Sequence, residues 1–244
     1  DTGSAMLTNR GDWYFGRDGV FYGNSASVLA NSGTVHRASG FTILGINVVN
    51  TGIISADAGS LEFYSLRNEG GILRTTGGQL GVDRTVPLGT GRLEGEGPVG
   101  PFSADAGTIA PGVDGPGTLR FLTSLTLSNT VTLSIGVNPT DLINKSDRLI
   151  VNGVLSLNDA VLQLEELPMM AIGTEIILVE SEGTEAVRGT FKGIPNGGLF
   201  TASKQLFRIY SQTKTCIWAN RVECQDRGKQ LVPETLWARA AEPS

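Results

Sequence analysis

The sequence predicts an all-β fold in which the chain winds into a parallel β-solenoid. Short motifs recur about every 19 residues, and apolar residues alternate over short stretches instead of following a helical period. Glycine accounts for 33 of the 244 residues, well above the usual ~7%. The glycines follow no three-residue period, which excludes collagen.

The first repeated motif is Asn-x-Gly followed by an aliphatic pair or near-pair. It begins at Asn31, Asn50 and Asn68, so its copies are 19 and 18 residues apart. A second motif, a small residue followed by Gly-x-Leu, ends at Leu61 and Leu80, which are again 19 residues apart. A repeat of this length with two or three short strands fits one coil of a solenoid.

The same residue types suit the corners of stacked coils. Asn and Gly tolerate left-handed backbone conformations, and asparagine side chains stacked ~4.8 Å apart can hydrogen-bond along the stack. Inward positions are expected to be aliphatic because the interior of a coil is dry. The alternative is an antiparallel β-sandwich with glycine turns.

After residue 90 the repeat fades and a different series of motifs follows. The series comprises Gly107-Thr-Ile-Ala-Pro-Gly112, Pro116-Gly-Thr-Leu119, residues 147–153, residues 189–195 and Phe207-Arg-Ile-Tyr210. In this order the motifs resemble the autotransporter-associated β-strand-repeat passengers of bacterial surface proteins, over roughly residues 30–212. The resemblance implies a right-handed parallel β-helix that serves as a surface-exposed or secreted scaffold.

These signals divide the chain into three parts. Residues 1–30 are predicted to form an N-terminal capping or docking segment, residues 31–212 the parallel β-helix, and residues 213–244 a C-terminal hairpin and tail. In the tail, Pro233 begins a stretch that fits two helical turns or a segment that orders only against a partner.

Composition excludes several classes of function. The net charge is −5 with 19 Lys and Arg residues, so we expect no nucleic-acid partner. No run of ~18 apolar residues is present, so we expect no membrane span. His36 is the only histidine, which excludes multi-His metal sites, and we expect neither a metal nor a cofactor. The low-charge, glycine-rich composition favours an extracellular or cell-surface protein whose signal peptide is absent from this chain.

Cys216 and Cys224 are the only two cysteines. Their spacing excludes a zinc ribbon and a CxxC redox motif. They flank Ala219-Asn220, a turn signal, so the sequence predicts two paired strands joined by a disulfide. Two free buried thiols are the alternative.

The carboxylates do not form a recognisable catalytic set. A β-helical polysaccharide lyase or hydrolase needs two carboxylates about 5–10 Å apart in distinct environments. Asp57 and Asp105 occupy two copies of Ser-Ala-Asp-Ala-Gly, where an aspartate before Ala-Gly satisfies turn amides. We therefore assign no catalytic residue, and the alternative is a polysaccharide-degrading enzyme or a tailspike-like glycan depolymerase.

Two regions are candidate docking sites for a partner. Trp13, Tyr14 and Phe15 lie in the densest aromatic cluster, which binds a sugar or a partner chain in one interpretation and caps an open core in the other. Leu236 and Trp237 are apolar residues of the tail without an evident local core.

The predicted function is therefore a non-enzymatic structural module of an extracellular appendage, a cell surface or a virion, which mediates assembly or adhesion. A homo-oligomer or a neighbouring surface or appendage protein is the expected partner, and a glycan is the second candidate. Arg10-Gly11-Asp12 is the tripeptide of integrin-binding loops, but Gly-Asp is also ordinary turn material.

Overall fold

The computed structural model describes residues 4–138, 146–165, 175–182, 187–202, 204–211 and 214–219. In these ranges the chain is all β, without a helix, and forms a parallel β-solenoid of about six turns. Accordingly, these ranges contain no helix long and apolar enough to cross a membrane. The prediction of an all-β parallel solenoid is confirmed, and the predicted helical tail lies outside these ranges.

Twenty-four strands are found in the described ranges. They are β1 (Met6–Asn9), β2 (Asp12–Phe15), β3 (Gly19–Tyr22), β4 (Val28–Asn31), β5 (Thr34–Arg37), β6 (Phe41–Asn50), β7 (Ile53–Ala56), β8 (Ser60–Asn68), β9 (Ile72–Thr76), β10 (Gln79–Leu80), β11 (Val86–Pro87), β12 (Arg92–Val99), β13 (Phe102–Ser103), β14 (Gly107–Pro111), β15 (Thr118–Phe121), β16 (Leu125–Thr126), β17 (Val131–Gly136), β18 (Arg148–Val151), β19 (Leu155–Ser156), β20 (Val161–Glu165), β21 (Glu175–Ser181), β22 (Leu199–Ala202), β23 (Gln205–Ser211) and β24 (Lys214–Ala219).

Successive coils pair in parallel along two long stacks of strands. One stack runs β2–β5–β7–β9–β12–β14–β17–β20. The other runs β3–β6–β8–β10–β12–β15–β18–β21. The first half of β12 belongs to one stack and its second half to the other, so this strand turns the corner between the two faces.

The sequence repeat sets the register of the early coils. Ile53 pairs with Ile72, and Leu61 pairs with Leu80, as the two motifs predict. Elsewhere the step, which is the number of residues between paired positions of adjacent coils, changes because the corners differ in length. The step from Thr118 to its partner Arg148 is much longer. The sequence repeat therefore fades after residue 90 although the stacking continues.

The interior consists of stacked aliphatic columns. One column has six members in register, and none of them exposes any surface: Val35, Ile54, Leu73, Leu93, Ile109 and Leu133. Burying a side chain of this size contributes roughly 1.5–3 kcal/mol. Repeated in each coil, this burial is the main source of stability.

Asparagine side chains form the predicted ladder at one corner. Asn9, Asn31, Asn50 and Asn68 are all buried. The first three each donate from Nδ2 to the Oδ1 of the asparagine in the next coil, at 2.8, 2.7 and 2.8 Å. The same Nδ2 atoms also donate to main-chain carbonyls, as Asn31 does to Ile53 at 2.9 Å. The ladder thus satisfies buried polar groups in four coils.

The solenoid begins earlier than the sequence predicts. Residues 6–22, assigned above to a capping or docking segment, already form a coil whose strands β1, β2 and β3 pair with β4, β5 and β6. Asn9-Arg-Gly11 is a further Asn-x-Gly copy, but the step from Asn9 to its partner Asn31 is longer than the steps between the later copies. Because of that longer step, the copy at Asn9 does not fall at the spacing of the later copies. The tripeptide Arg10-Gly11-Asp12 therefore runs from the corner after β1 into β2, whose first residue is Asp12.

At its other end the parallel stack gives way to antiparallel strands. β24 lies between β21 and β23 and is antiparallel to both, and β22 is antiparallel to β23. The predicted boundary at residue 212 therefore falls inside this antiparallel sheet and not at the end of the parallel coils. Alternating apolar residues look alike in both kinds of pairing, so the sequence pattern alone does not mark the change.

Candidate functional site

The two aspartates of the Ser-Ala-Asp-Ala-Gly copies lie in different corners. Asp57 follows β7 in one of the long stacks, whereas Asp105 follows β13, which pairs with β11. The Asp105 side chain is exposed, and its main-chain carbonyl accepts hydrogen bonds from Ser128 and Thr130. This placement does not bring the two carboxylates together as a catalytic pair.

Asp57 forms a polar cluster with the only histidine. Its carboxylate contacts His36 Nδ1 at 2.7 Å and accepts hydrogen bonds from Ser55 and Thr76. Burial raises the pKa of the Asp57 carboxyl, but the hydrogen bonds from Ser55 and His36 outweigh burial and hold that pKa below its ordinary value. The His36 ring also stacks on Tyr14, with centroids 4.6 Å apart and planes 4° apart. These contacts tie four successive coils together.

A groove of about 830 Å³ crosses the face that contains β9, β12, β14 and β17. Residues 112–116 form part of its wall. Among the described residues, its charged lining consists of Arg74, Arg92, Glu94, Asp114, Asp147 and Glu165. These six side chains determine the chemistry of the groove.

Glu94 is held between two arginines in this groove. Arg74 Nε donates to Glu94 Oε1, and Arg92 Nε donates to Glu94 Oε2, each at 2.8 Å. Arg74 pairs in register with Glu94 from the preceding coil, and Arg92 lies two positions before Glu94, on the same face of β12. The Glu94 side chain is only 11% exposed. Both of its oxygens are therefore engaged in ion pairs.

Asp147 connects two turns of the main chain. It is 6% exposed, and it accepts the N–H of Gly117 at Oδ1 (2.8 Å) and the N–H of Gly136 at Oδ2 (2.7 Å). Burial raises the pKa of Asp147 to about 6. The hydrogen bonds from Gly136 and Gly117 and the charge of Arg92 oppose that rise, and the charge of Glu165 adds to it.

The Glu165 carboxylate also has a protein partner. It accepts a hydrogen bond from Ser134 on the preceding coil. In the ranges that the structure describes, no three His, Cys, Asp or Glu side chains are grouped so that they could hold a metal ion. The groove is thus lined by guanidinium donors and carboxylate acceptors, groups that hydrogen-bond to sugar hydroxyls. Three of the carboxylates, those of Glu94, Asp147 and Glu165, already accept hydrogen bonds from within the chain.

Most residues of this groove carry no recognisable signal in the sequence. Asp147 begins the motif at residues 147–153, but that motif indicates a strand and not a groove. Asp114, Arg74, Arg92 and Glu94 belong to no motif. One signal was present. Arg74 and Glu94 are separated by one coil, and Arg92 is two positions from Glu94, which places all three on one face.

The predicted docking residues near the N-terminus lie in β2 of the first coil. Trp13 and Phe15 are partly buried and pack edge-to-face with Phe21, with ring centroids 6.2 and 6.3 Å apart. Their rings close the end of the apolar interior. Tyr14 is 66% exposed. Trp13 and Phe15 therefore fit the capping interpretation, whereas docking at Tyr14 stays a prediction.

Three other predicted residues lie outside the described residues: Cys224, Leu236 and Trp237. The main chain of Cys216 lies in β24, paired with Tyr210 on one side and Ile177 on the other. The Cys216–Cys224 disulfide and docking through the tail both stay predictions.

Neither the protein-family models nor the curated proteins compared with this chain include a match. Membership of the autotransporter-associated passengers therefore rests on the resemblance of motifs alone. The parallel β-solenoid is the part of that resemblance that the structure shows.

Proposed function

We propose that this protein is a non-enzymatic scaffold module of an extracellular appendage, a cell surface or a virion, which mediates assembly or adhesion. One observation supports the non-enzymatic part above all: the buried carboxylates of the groove hold the coils together. Glu94 binds two arginines and Asp147 binds two main-chain amides. A general acid or a nucleophile must instead present its oxygen to a substrate.

The proposed mechanism of the scaffold is mechanical. The aliphatic columns and the asparagine ladder continue from coil to coil, so each coil is stabilised by its neighbours. Such a stack resists local unfolding and proteolysis because most of its strands are hydrogen-bonded to a neighbouring strand on each side. The outer faces and the ends then present side chains to partners at fixed spacings.

A second candidate function is the binding or degradation of a polysaccharide in the groove. Two features favour it: the guanidinium groups of Arg74 and Arg92, and the raised pKa of Asp147, about 6, beside Glu165. A carboxyl group that titrates near neutral pH suits general acid catalysis of glycoside cleavage.

Incubation with a panel of acidic and neutral polysaccharides decides between the two functions. A scaffold releases neither reducing ends nor unsaturated products from any of them. Turnover that Asp147→Asn abolishes and Asp105→Asn preserves would establish an enzyme, because Asp105 is an exposed aspartate outside the groove. Binding without product would instead support adhesion by a glycan-binding scaffold.

We further propose that the protein works in an assembly with copies of itself or with a neighbouring surface or appendage protein. Exposed apolar side chains on the first coil support this, since Met6 is 74% and Tyr22 is 77% exposed. Light scattering of the full chain and of a chain without residues 229–244 tests the tail. The truncated chain should keep its β-rich spectrum and lose the higher-order species, and equal assembly of both chains would exclude docking through the tail.

A further inference from the structure

The first coil has an outer edge with no partner strand in the described part of the chain. There β1, β2 and β3 each pair on one side only, with β4, β5 and β6. An open edge of this kind presents main-chain N–H and C=O groups that proteins usually pair or cover. The residues on this edge show what kind of partner would fit it.

The asparagine ladder has a direction, and Asn9 is its first member. Asn31 accepts at Oδ1 from Asn9 in the coil before it and donates from Nδ2 to Asn50 in the coil after it. Among the described residues, Asn9 Oδ1 has no such ladder donor and accepts instead from the N–H of Gly11, at 3.2 Å. The ladder therefore ends in an acceptor that matches the amide of one more asparagine.

The Gly11 amide also departs from the pattern of the interior copies. Gly33 N donates to the main-chain carbonyl of Asn9 and Gly52 N to that of Asn31, each at 3.1 Å. The bond from Gly11 to Asn9 Oδ1 is thus a local substitute for a bond that a preceding coil supplies in the other copies.

Gly11 also lacks the steric constraint that the interior copies have. A Cβ on Gly33 would lie 2.2 Å from the oxygen of Gly11, and a Cβ on Gly52 would lie 2.2 Å from the oxygen of Gly33. These glycines are required because the preceding coil packs directly against them. A Cβ on Gly11 would meet nothing within 4 Å. The first coil thus carries the glycine that a stacked coil requires, although no coil packs against it in the described part of the chain.

We infer that the outer edge of β1, β2 and β3 binds a parallel β-solenoid coil of the Asn-x-Gly type. The asparagine of that coil donates from Nδ2 to Asn9 Oδ1, and its main-chain carbonyl accepts the N–H of Gly11. The contact continues the coil-to-coil interface already repeated inside the molecule. Two copies joined first coil to first coil fit poorly, because two-fold symmetry would set one Asn9 acceptor against the other.

This inference rests on the proposed scaffold role, because a scaffold that works in an assembly needs a partner and the outer edge of the first coil would bind that partner. The two are tested separately. Polysaccharide turnover would contradict the scaffold role and leave the docking edge intact, whereas adding a coil to the N-terminal side of β1 tests the edge alone.

The test supplies a coil of this type. In the native register Asn47 pairs with Ser65, so residues 47–64 make up one coil. A second copy of residues 47–64 inserted between Ala5 and Met6 of the full chain therefore places its asparagine, the copy of Asn50, above Asn9. Hydrogen exchange should show amides of β1, β2 and β3 protected at least about tenfold more than in the unmodified chain.

Two variants of the extended chain serve as matched controls. Gly11→Ala should be tolerated in the unmodified chain, where an added Cβ meets nothing within 4 Å. In the extended chain the same Cβ would clash with a main-chain oxygen of the inserted coil. Asn50→Ala in the inserted copy alone removes the ladder donor. Each change should cancel most of the added protection.

The possible outcomes separate clearly. Added protection that both variants reduce supports the inference. Protection that persists with Gly11→Ala would overturn it, because any strand could then cover the edge. No added protection, or an insertion that lowers the thermal midpoint of the chain, would also overturn it. A synthetic peptide of residues 47–64 added to the unmodified full chain, with and without Gly11→Ala, repeats the comparison without an insertion.

Discussion

At the residue scale, buried polar side chains fix how the coils stack. Arg37 exposes none of its surface, yet it carries a charge into the corner between the first and second coils. There it donates to the carbonyls of Phe15 and Arg17 in one coil and of Gly40 in its own. Asn50 and Asp147 make similar contacts between coils. These contacts offset the cost of removing the polar groups from water. Arg37 Nη2 makes no hydrogen bond, but it forms an ion pair with Asp18 Oδ1 at 3.5 Å.

Replacement of Asn50 by alanine should destabilise the protein strongly. The change leaves Asn68 Oδ1 without its ladder donor and Asn31 Nδ2 without its ladder acceptor. A buried polar group left without a partner costs roughly 1–3 kcal/mol, so we expect a loss of about 2–4 kcal/mol in the free energy of unfolding measured in urea. Thr51→Ala, an exposed neighbour at the same corner, is the control and should cost less than about 1 kcal/mol. Equal losses would show that the ladder contributes nothing.

Asp147 should make stability fall as the pH rises through about 6. Its pKa is about 6 in the folded protein and ~3.9 in an unfolded chain, so between these values only the folded state keeps the proton. The stabilisation from this proton on Asp147 is therefore fully present below about pH 4 and is lost as the pH rises through the pKa of the folded protein. The loss amounts to about 2–3 kcal/mol.

Urea unfolding of the wild type and of Asp147→Asn between pH 4 and pH 7.5 measures this effect. The asparagine does not titrate, so the wild type should lose stability relative to the variant over that range. A difference between the two proteins that stays constant with pH would contradict the raised pKa.

At the element scale, corners rather than strands decide how closely the coils approach. Strands of adjacent coils keep a regular spacing whatever their sequence, but a corner must let one backbone pass directly over another. Gly59 and Gly70 both have left-handed backbones, with φ of +72° and +74°. They differ in surroundings: a Cβ on Gly59 would lie 2.0 Å from the oxygen of Gly40, whereas a Cβ on Gly70 would meet nothing within 4 Å.

This pair of glycines separates backbone strain from coil packing. Gly70→Ala introduces only the left-handed strain and should cost about 1 kcal/mol. Gly59→Ala adds a clash with the preceding coil and should cost about 1–3 kcal/mol more. Urea unfolding of both variants provides the comparison, and equal costs would mean that the coils can move apart at this corner without penalty.

At the scale of the whole molecule, the coils that begin at Asn31 and Asn50 were predictable because the number of residues per coil is nearly constant there, at 19 and 18. The Asn-x-Gly copies predict the ladder because equal spacing places equal residues above one another. The groove was not predictable, since the step is short between Arg92 and its partner Thr108 and far longer between Thr118 and Arg148. Which residues meet there depends on corner lengths that no local pattern specifies.

The apolar interior is continuous along the whole solenoid. A single cluster of buried hydrophobic residues extends from Leu29 to Ile209, through both the regular coils and those beside the groove. In a solenoid each coil contacts only its neighbours, so an uninterrupted interior is what couples distant coils into one unit. A rigid scaffold requires that coupling.

Native-state hydrogen exchange of the full chain measures this coupling most directly. If the molecule is one continuous rod, the slowest amides of the interior strands from β4 to β18 should open with one common free energy that responds equally to added denaturant. Separate opening of the early coils and of the coils around the groove, each with its own free energy, would contradict a rigid scaffold.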